Sequence, residues 1–206
     1  MKIDKKIVAW KIDSKEGSQL IVTMFNRPNK IVPSVSPKRP KELPCDIHQI
    51  TYKGQKWVAL VGKLENEPYE LFIGYSNQLS LPSKCNKGKI IKSNRGIYDL
   101  YVDINGEDLI IKNIIKTFDN PENAWSTRIL SMSIRHGVPL DFIVDQLSKD
   151  GGIGDINKVL SRILKKYIKE GLSVRSGTKC DSCGSTNLVY SEGCPRCLDC
   201  QFSKCS

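Results

Sequence analysis

An α+β fold is what this sequence predicts: an antiparallel sheet, then a three-helix segment, then a small cysteine-rich C-terminal ribbon. Three observations carry the prediction. Between Cys45 and Ile115, short apolar runs alternate with turn residues. Between Pro121 and Gly171 the apolar spacing changes to i, i+3, i+4, i+7. From Cys180 to Cys205, six cysteines fall in a stretch with few apolar residues.

Taken in order, residues 7–12 and 20–25 are strand-like runs on either side of a polar stretch at 13–18, and read as a hairpin. Pro28, Pro33, Pro37, Pro40 and Pro44 follow, which predicts an extended connector. Residues 47–52, 56–63, 69–74, 89–92, 97–104 and 109–115 are candidate strands. Lys53-Gly54, Asn66-Glu67-Pro68 and Asn105-Gly106 supply turns between them, the last being a dipeptide that type I′ hairpins favour. Pro121-Glu122 opens a helix carrying Trp125, Ile129 and Met132, and His136-Gly137 ends it. Pro139 starts a second, striped by Leu140, Ile143, Val144 and Leu147. A third carries Ile156, Val159, Leu160, Ile163, Leu164, Tyr167 and Ile168, stops at Gly171, and sets Lys165, Lys166 and Lys169 on its other face. All three stripes are expected to face the core. The domain reading is a hairpin extension and connector at 1–35, an α+β domain at 36–175 and a ribbon at 176–206.

The chain has 206 residues, 39% hydrophobic and 26% charged, which suits one folded domain plus an appendage. No apolar run approaches the ~18 residues of a membrane span. The N-terminus carries no apolar segment of signal-peptide length, so a cytoplasmic location is expected, without membrane association. The net charge of +10 would attract nucleic acid, nucleotides or an acidic partner, but the lysines are dispersed along the chain, as on a solvated surface. No phosphate loop, nucleophile elbow or HExxH helix occurs. Of the two histidines, His136 reads as a helix C-terminal cap, and His48 has no partner visible in the sequence.

The chemistry concentrates in the tail. Cys180-x2-Cys183 and Cys194-x2-Cys197 are two CxxC knuckles across a ten-residue spacer, shorter than the usual 15–20. Together they can place four thiolates around one tetrahedral Zn²⁺, and so short and polar a piece needs a metal to fold. On this reading Cys200 and Cys205 remain as a dithiol suited to thiol–disulfide exchange with another protein. Two alternatives stand beside it. Cys200 can replace Cys197 as a ligand, and Cys194-x2-Cys197-x2-Cys200 is part of an iron–sulfur pattern whose fourth cysteine is misplaced here. Cys45 and Cys85 lack a CxxC context and are expected to be buried structural thiols.

Residues 36–206 resemble the C-terminal, TSCPD region of adenosylcobalamin-dependent (class II) ribonucleotide reductases. The likeness is carried by Lys38-Arg-Pro-Lys-Glu-Leu-Pro-Cys45, Tyr69-Glu-Leu-Phe-Ile-Gly74, Gly88-Lys-Ile-Ile-Lys92 and Arg95-Gly-Ile-Tyr98. Thr127-Arg-Ile-Leu130, Arg135-His-Gly-Val-Pro139, Ile163-Leu-Lys-Lys-Tyr-Ile168 and the cysteine tail complete it. The resemblance implies a zinc-binding tail with Cys180, Cys183, Cys194 and Cys197 as ligands. It also implies that Cys200 and Cys205 re-reduce an active-site disulfide, with thioredoxin or a glutaredoxin-like reductant restoring the pair. The chain is too short for the catalytic barrel, so the expectation is a component of a split reductase, with adenosylcobalamin on the partner catalytic subunit. A zinc-ribbon protein that binds nucleic acid or regulates transcription is the alternative.

Overall fold

The computed structural model describes residues 10–12, 19–21, 34–149, 155–175 and 177–203. The chain divides into two units, Met1–Ser34 and Val35–Ser206. In the first, β1 (Trp10–Ile12) pairs antiparallel with β2 (Gln19–Ile21). The remainder of the two strand runs and the connector up to Pro33 lie outside the described residues.

The second unit is built on an antiparallel sheet of β3 (Glu42–Tyr52), β4 (Gln55–Leu64), β5 (Glu67–Tyr75), β6 (Lys87–Asn94), β7 (Ile97–Ile104) and β8 (Glu107–Ile111). Their spatial order is β5-β4-β3-β6-β7-β8. It consists of two three-stranded meanders joined along their first strands, β3 and β6. Pro44 lies inside β3, where the sequence predicted connector. Glu42, Pro44 and Lys89 fall at non-hydrogen-bonded positions of the β3–β6 ladder, so the Pro44 nitrogen faces the β4 side. There the pairing begins only at Cys45↔Gly62, and no N–H is missed.

The sheet is covered on both faces. Along β4, Trp57, Ala59 and Val61 point to one side and Val58 and Leu60 to the other, all buried. On the first side lie α3 (Leu140–Lys149) and α4 (Asp155–Lys165). Val159, Leu160, Ile163 and Leu164 of α4 and Ile143 and Val144 of α3 pack there with Leu71 and Ile73. Burying each Leu or Ile contributes about 1.5–3 kcal/mol, so this seam is a large part of what holds the domain together. On the second side, Ile47, Ile90, Leu100 and Val102 pack with Ile114 and Phe118. The last two belong to α1 (Ile114–Phe118), a short helix at the point where the sequence predicted the end of a strand. Gly74 makes room for it, since a Cβ there would stand 1.9 Å from the Phe118 ring.

The helix α2 (Pro121–Arg135) departs from the sequence expectation. Its Asn120 side chain caps it by accepting from Asn123 N–H, and His136 is its C-cap. Yet Asn123, Thr127 and Ser131 are the buried residues, while Trp125, Ile129 and Met132 are 64%, 38% and 49% exposed. The apolar stripe expected to face the core faces outward. The reason is where the helix docks. It lies along β5, the edge of the sheet, and the Leu71 N–H donates to Ser131 Oγ at 2.9 Å. An edge strand offers unpaired backbone groups, and a small hydroxyl satisfies them where an aliphatic side chain cannot.

A polar seam ties β3 to the turn after α4. Tyr167 Oη donates to Asp46 Oδ2 at 2.8 Å, His48 Nε2 lies 2.7 Å from Tyr167 Oη, and Lys63 Nζ lies 2.9 Å from Asp46 Oδ1. His48 therefore has the partner that its strand context did not reveal. Burial holds its imidazole below the ordinary range, and burial together with the Asp46 carboxylate holds the Tyr167 phenol well above its own.

Candidate metal centre

The helical stripe running toward Gly171 does not remain helix to its end. After Lys165 the backbone tightens, with Lys166, Tyr167 and Ile168 N–H groups bonding the carbonyls three residues back. Residues 171–174 then run beside β9 (Leu188–Ser191). Gly171 N donates to Tyr190 O and Tyr190 N to Leu172 O, both at 2.8 Å, and Val174 N donates to Leu188 O at 2.9 Å. On its other side β9 pairs with β10 (Cys194–Cys197). The turn between them passes over the end of α4, where Gly193 is required: a Cβ would stand 2.3 Å from the Lys165 carbonyl oxygen. Arg175 Nε donates to the buried Asp141 carboxylate on α3 at 2.9 Å, a further tie between ribbon and domain.

Two backbone knuckles of the same form face each other on this hairpin. In the first, the Gly184 N–H bonds the Cys180 carbonyl at 2.9 Å, with Gly184 at φ +75°. In the second, the Gln201 N–H bonds the Cys197 carbonyl at 3.0 Å, with Gln201 at φ +63°. Asp199 holds the two together, accepting from Ser185 Oγ and, at 2.9 Å, from Asn187 Nδ2. These two hydrogen bonds also keep its carboxyl below the usual range.

The knuckles bring Cys180, Cys183, Cys197 and Cys200 into one cluster, every sulfur within 4.8 Å of every other. Cys180 and Cys200 Sγ are 3.6 Å apart, as are Cys183 and Cys197 Sγ. With a Zn–S bond of ~2.3 Å, tetrahedral geometry gives a sulfur–sulfur edge of about 3.8 Å, so four thiolates fit such an ion. The electrostatics agree. Backbone N–H groups of Cys200 and Asp199 draw the Cys197 thiol down to about 7. The Ser185 N–H favours the Cys183 thiolate too, but the crowding sulfurs of Cys200, Cys197 and Cys180 outweigh it and push that thiol up to about 12. Four thiols this close cannot all ionise without a cation among them. Cys180 and Cys197 are buried with Leu188, and Cys183 and Cys200 are exposed, so the cluster has one closed side and one open to solvent.

This placement differs from the sequence expectation at two cysteines. Cys194, expected as a ligand, is outside the cluster and is disulfide-bonded. Cys200, expected as half of a free dithiol, is the fourth member of the cluster. Cys205 lies outside the described residues. The physical reason is the strand: Cys194 and Cys197 are the two ends of β10, ~10 Å apart at ~3.3 Å per residue, and cannot share one ion from there. The turn after Cys197 folds back instead. Spacer length was the signal that could have found it, because the 13 residues from Cys183 to Cys197 come nearer the usual ribbon spacing than the ten to Cys194. Elsewhere, Cys45 is buried as expected, its thiol pushed up by burial, and Cys85 is partly buried. No helix among the described residues is long and apolar enough to cross a membrane.

No curated protein and no solved structure matches this chain. A family model does, over residues 43–169, which takes in the six-stranded sheet from Leu43 onward and helices α1 to α4 and stops before the ribbon. By that match the chain belongs to the family described as the NrdJ homologue C-terminal domain, a relative of the C-terminal region of class II ribonucleotide reductases.

Proposed function

We propose that this chain is the thiol-bearing component of a ribonucleotide reductase, working with a separate catalytic subunit that holds adenosylcobalamin. The observation that supports this most is the presence of a reductase-related domain and a four-cysteine ribbon in one chain. In this reading Cys180, Cys183, Cys197 and Cys200 hold Zn²⁺, and the metal's task is structural. It fixes a hairpin whose few apolar residues could not fix themselves. The α+β domain docks the ribbon against the catalytic subunit. A cysteine pair outside the metal site then passes two electrons and two protons to the disulfide that ribonucleotide reduction leaves in the active site. Thioredoxin or a glutaredoxin-like dithiol protein reduces the pair again.

The experiment is reconstitution. The chain is used as bait in its native host, the co-purifying catalytic subunit is purified, and deoxyribonucleotide formed per enzyme is measured with a dithiol protein as reductant. Multiple turnovers are expected with the chain and about one turnover without it. A small dithiol that enters the active site directly should restore part of the activity in its absence. Equal multi-turnover rates with and without the chain would overturn the reading, as would metal analysis finding iron and sulfide instead of zinc.

A further inference from the structure

The two edges of the six-stranded sheet differ. At β5, helix α2 lies along the strand and Ser131 Oγ accepts from the Leu71 N–H. At β8, no strand among the described residues pairs with the outer side. The turn before β8 fixes which of its groups face out. Asn105 at φ +57° and Gly106 at φ +89° form a two-residue type I′ turn, so the flanking pair Ile104↔Glu107 exchanges hydrogen bonds. Alternation along the ladder then turns the backbone of Glu107, Leu109 and Ile111 toward β7. That of Asp108 and Ile110 faces outward, with Lys112 next in the series. The Asp108 and Ile110 N–H groups have no backbone partner among the described residues. Edge strands are commonly protected by a proline, a bulge or a lysine. β8 contains none of these: its register is unbroken, and Ile110 stands 42% exposed on the same face as Asp108 and Lys112.

We propose that β8 is an interaction surface for a second copy of this chain, the two β8 strands pairing antiparallel across a two-fold axis. The pairing joins two six-stranded sheets into one and is independent of the reductase reading. The strand's own sequence selects this partner. Hydrogen-bonded pairs of the new ladder can join only residues whose backbone faces outward, which leaves few registers. Centred on Asp108, the two carboxylates oppose each other. Centred on Leu109, each carboxylate opposes the Ile110 side chain of the second copy. Centred on Ile110, Asp108 stands opposite Lys112 of the second copy at both ends, and the exposed Ile110 side chains meet at the axis. The Lys112 side chain is 68% exposed and can reach such a partner. On the other face of the same register, Leu109 opposes Ile111 of the second copy. Both are only partly buried against the core of Leu100, Val102 and Ile114, so the pairing extends that core across the axis. Opposite charges at the ends and an apolar centre make β8 complementary to itself. A five-residue strand covers less than the ~800 Å² per partner of a standard interface, so the dimer forms reversibly with concentration.

The test uses the full chain, followed by analytical ultracentrifugation over a range of concentrations and by hydrogen exchange at the Ile110 amide. The mass should rise toward twice that of one chain, and Ile110 exchange should slow as the dimer fills. Asp108→Lys and Lys112→Glu each set like charges opposite each other at both ends of the ladder, and each variant alone should stay monomeric. Both positions are exposed, so each variant should keep the wild-type melting midpoint. Mixed in equal amounts, the two variants present opposite charges at both ends again and should recover the dimer. Ile110→Lys, which places two cations at the axis, should also be monomeric. A monomer at every concentration would overturn the proposal, as would a monomer whose Ile110 amide is already protected by another segment. So would a mixture of the two charge variants that fails to associate, or a dimer that Asp108→Lys leaves intact and Trp125→Ala abolishes.

Discussion

The sheet domain and the ribbon are held by different forces. In the domain, strand after strand buries an aliphatic face on α4 and α3 or on α1, and Val58, Leu60, Ile90, Leu160 and Ile163 are fully enclosed. In the ribbon the buried set shrinks to Cys180, Leu188 and Cys197, with Val174 against them. Two of those three are metal-ligand candidates. The domain's stability is therefore spread over many side chains, while the ribbon's is focused on one point. Loss of any single core residue should weaken the domain without removing it, whereas loss of the ion should remove the ribbon outright.

The largest expected effect breaks the comparison at that point. Zinc bound by a structural site supplies ~10–16 kcal/mol of apparent binding energy at neutral pH. Stripping it with a chelator should unfold residues beyond about Val174 while the sheet stays cooperative. Hydrogen exchange should then rise to unprotected rates on β9 and β10 and remain slow on β4. Uniform loss of protection over both regions would show that the ribbon and domain share one source of stability. A smaller effect tests the distributed side. Leu160→Ala, at the centre of the α4 seam, should cost ~2–5 kcal/mol, read from denaturant midpoints, and leave the zinc content unchanged. The smallest sharpens the account of the sheet edge. Ser131→Ala leaves the Leu71 N–H without its acceptor and should cost ~1–3 kcal/mol, while Trp125→Ala on the outward face should fall within about 0.5 kcal/mol of wild type. If the tryptophan costs more than the serine, α2 is packed by its apolar stripe after all.

Helices α4 and α2 mark how far periodicity could be read. In α4 the apolar residues at Val159, Leu160, Ile163 and Leu164 predict both helix and buried face, and both are found. In α2 the stripe of Trp125, Ile129 and Met132 predicts the helix correctly and its inward face wrongly. Periodicity reports which residues share a side, and the side that turns inward depends on what the helix meets. A sheet face rewards aliphatic side chains. A sheet edge rewards hydroxyls, and Thr127 and Ser131 could be read as edge-facing only once β5 was known to be the edge. The strand runs show the same limit. Residues 97–104 were legible to the residue as β7, because its apolar run and turns are local, whereas α1 was read as strand because Ile114 and Ile115 continue an apolar run.

The sequence by itself determined the element types, the α+β class and the gathering of thiolate chemistry after Cys180. Those depend on spacing and turn residues within a few positions of one another. Only the tertiary structure decided which four cysteines meet. Cys194, Cys197 and Cys200 recur at equal intervals, and spacing alone cannot rank one CxxC above the next. The choice is made by β10, whose pairing with β9 holds Cys194 straight and away from the cluster. It is completed by the Gln201–Cys197 backbone bond, which turns Cys200 in beside Cys180. A ligand set is a statement about distances between residues far apart in sequence, and such distances exist only once the hairpin has folded.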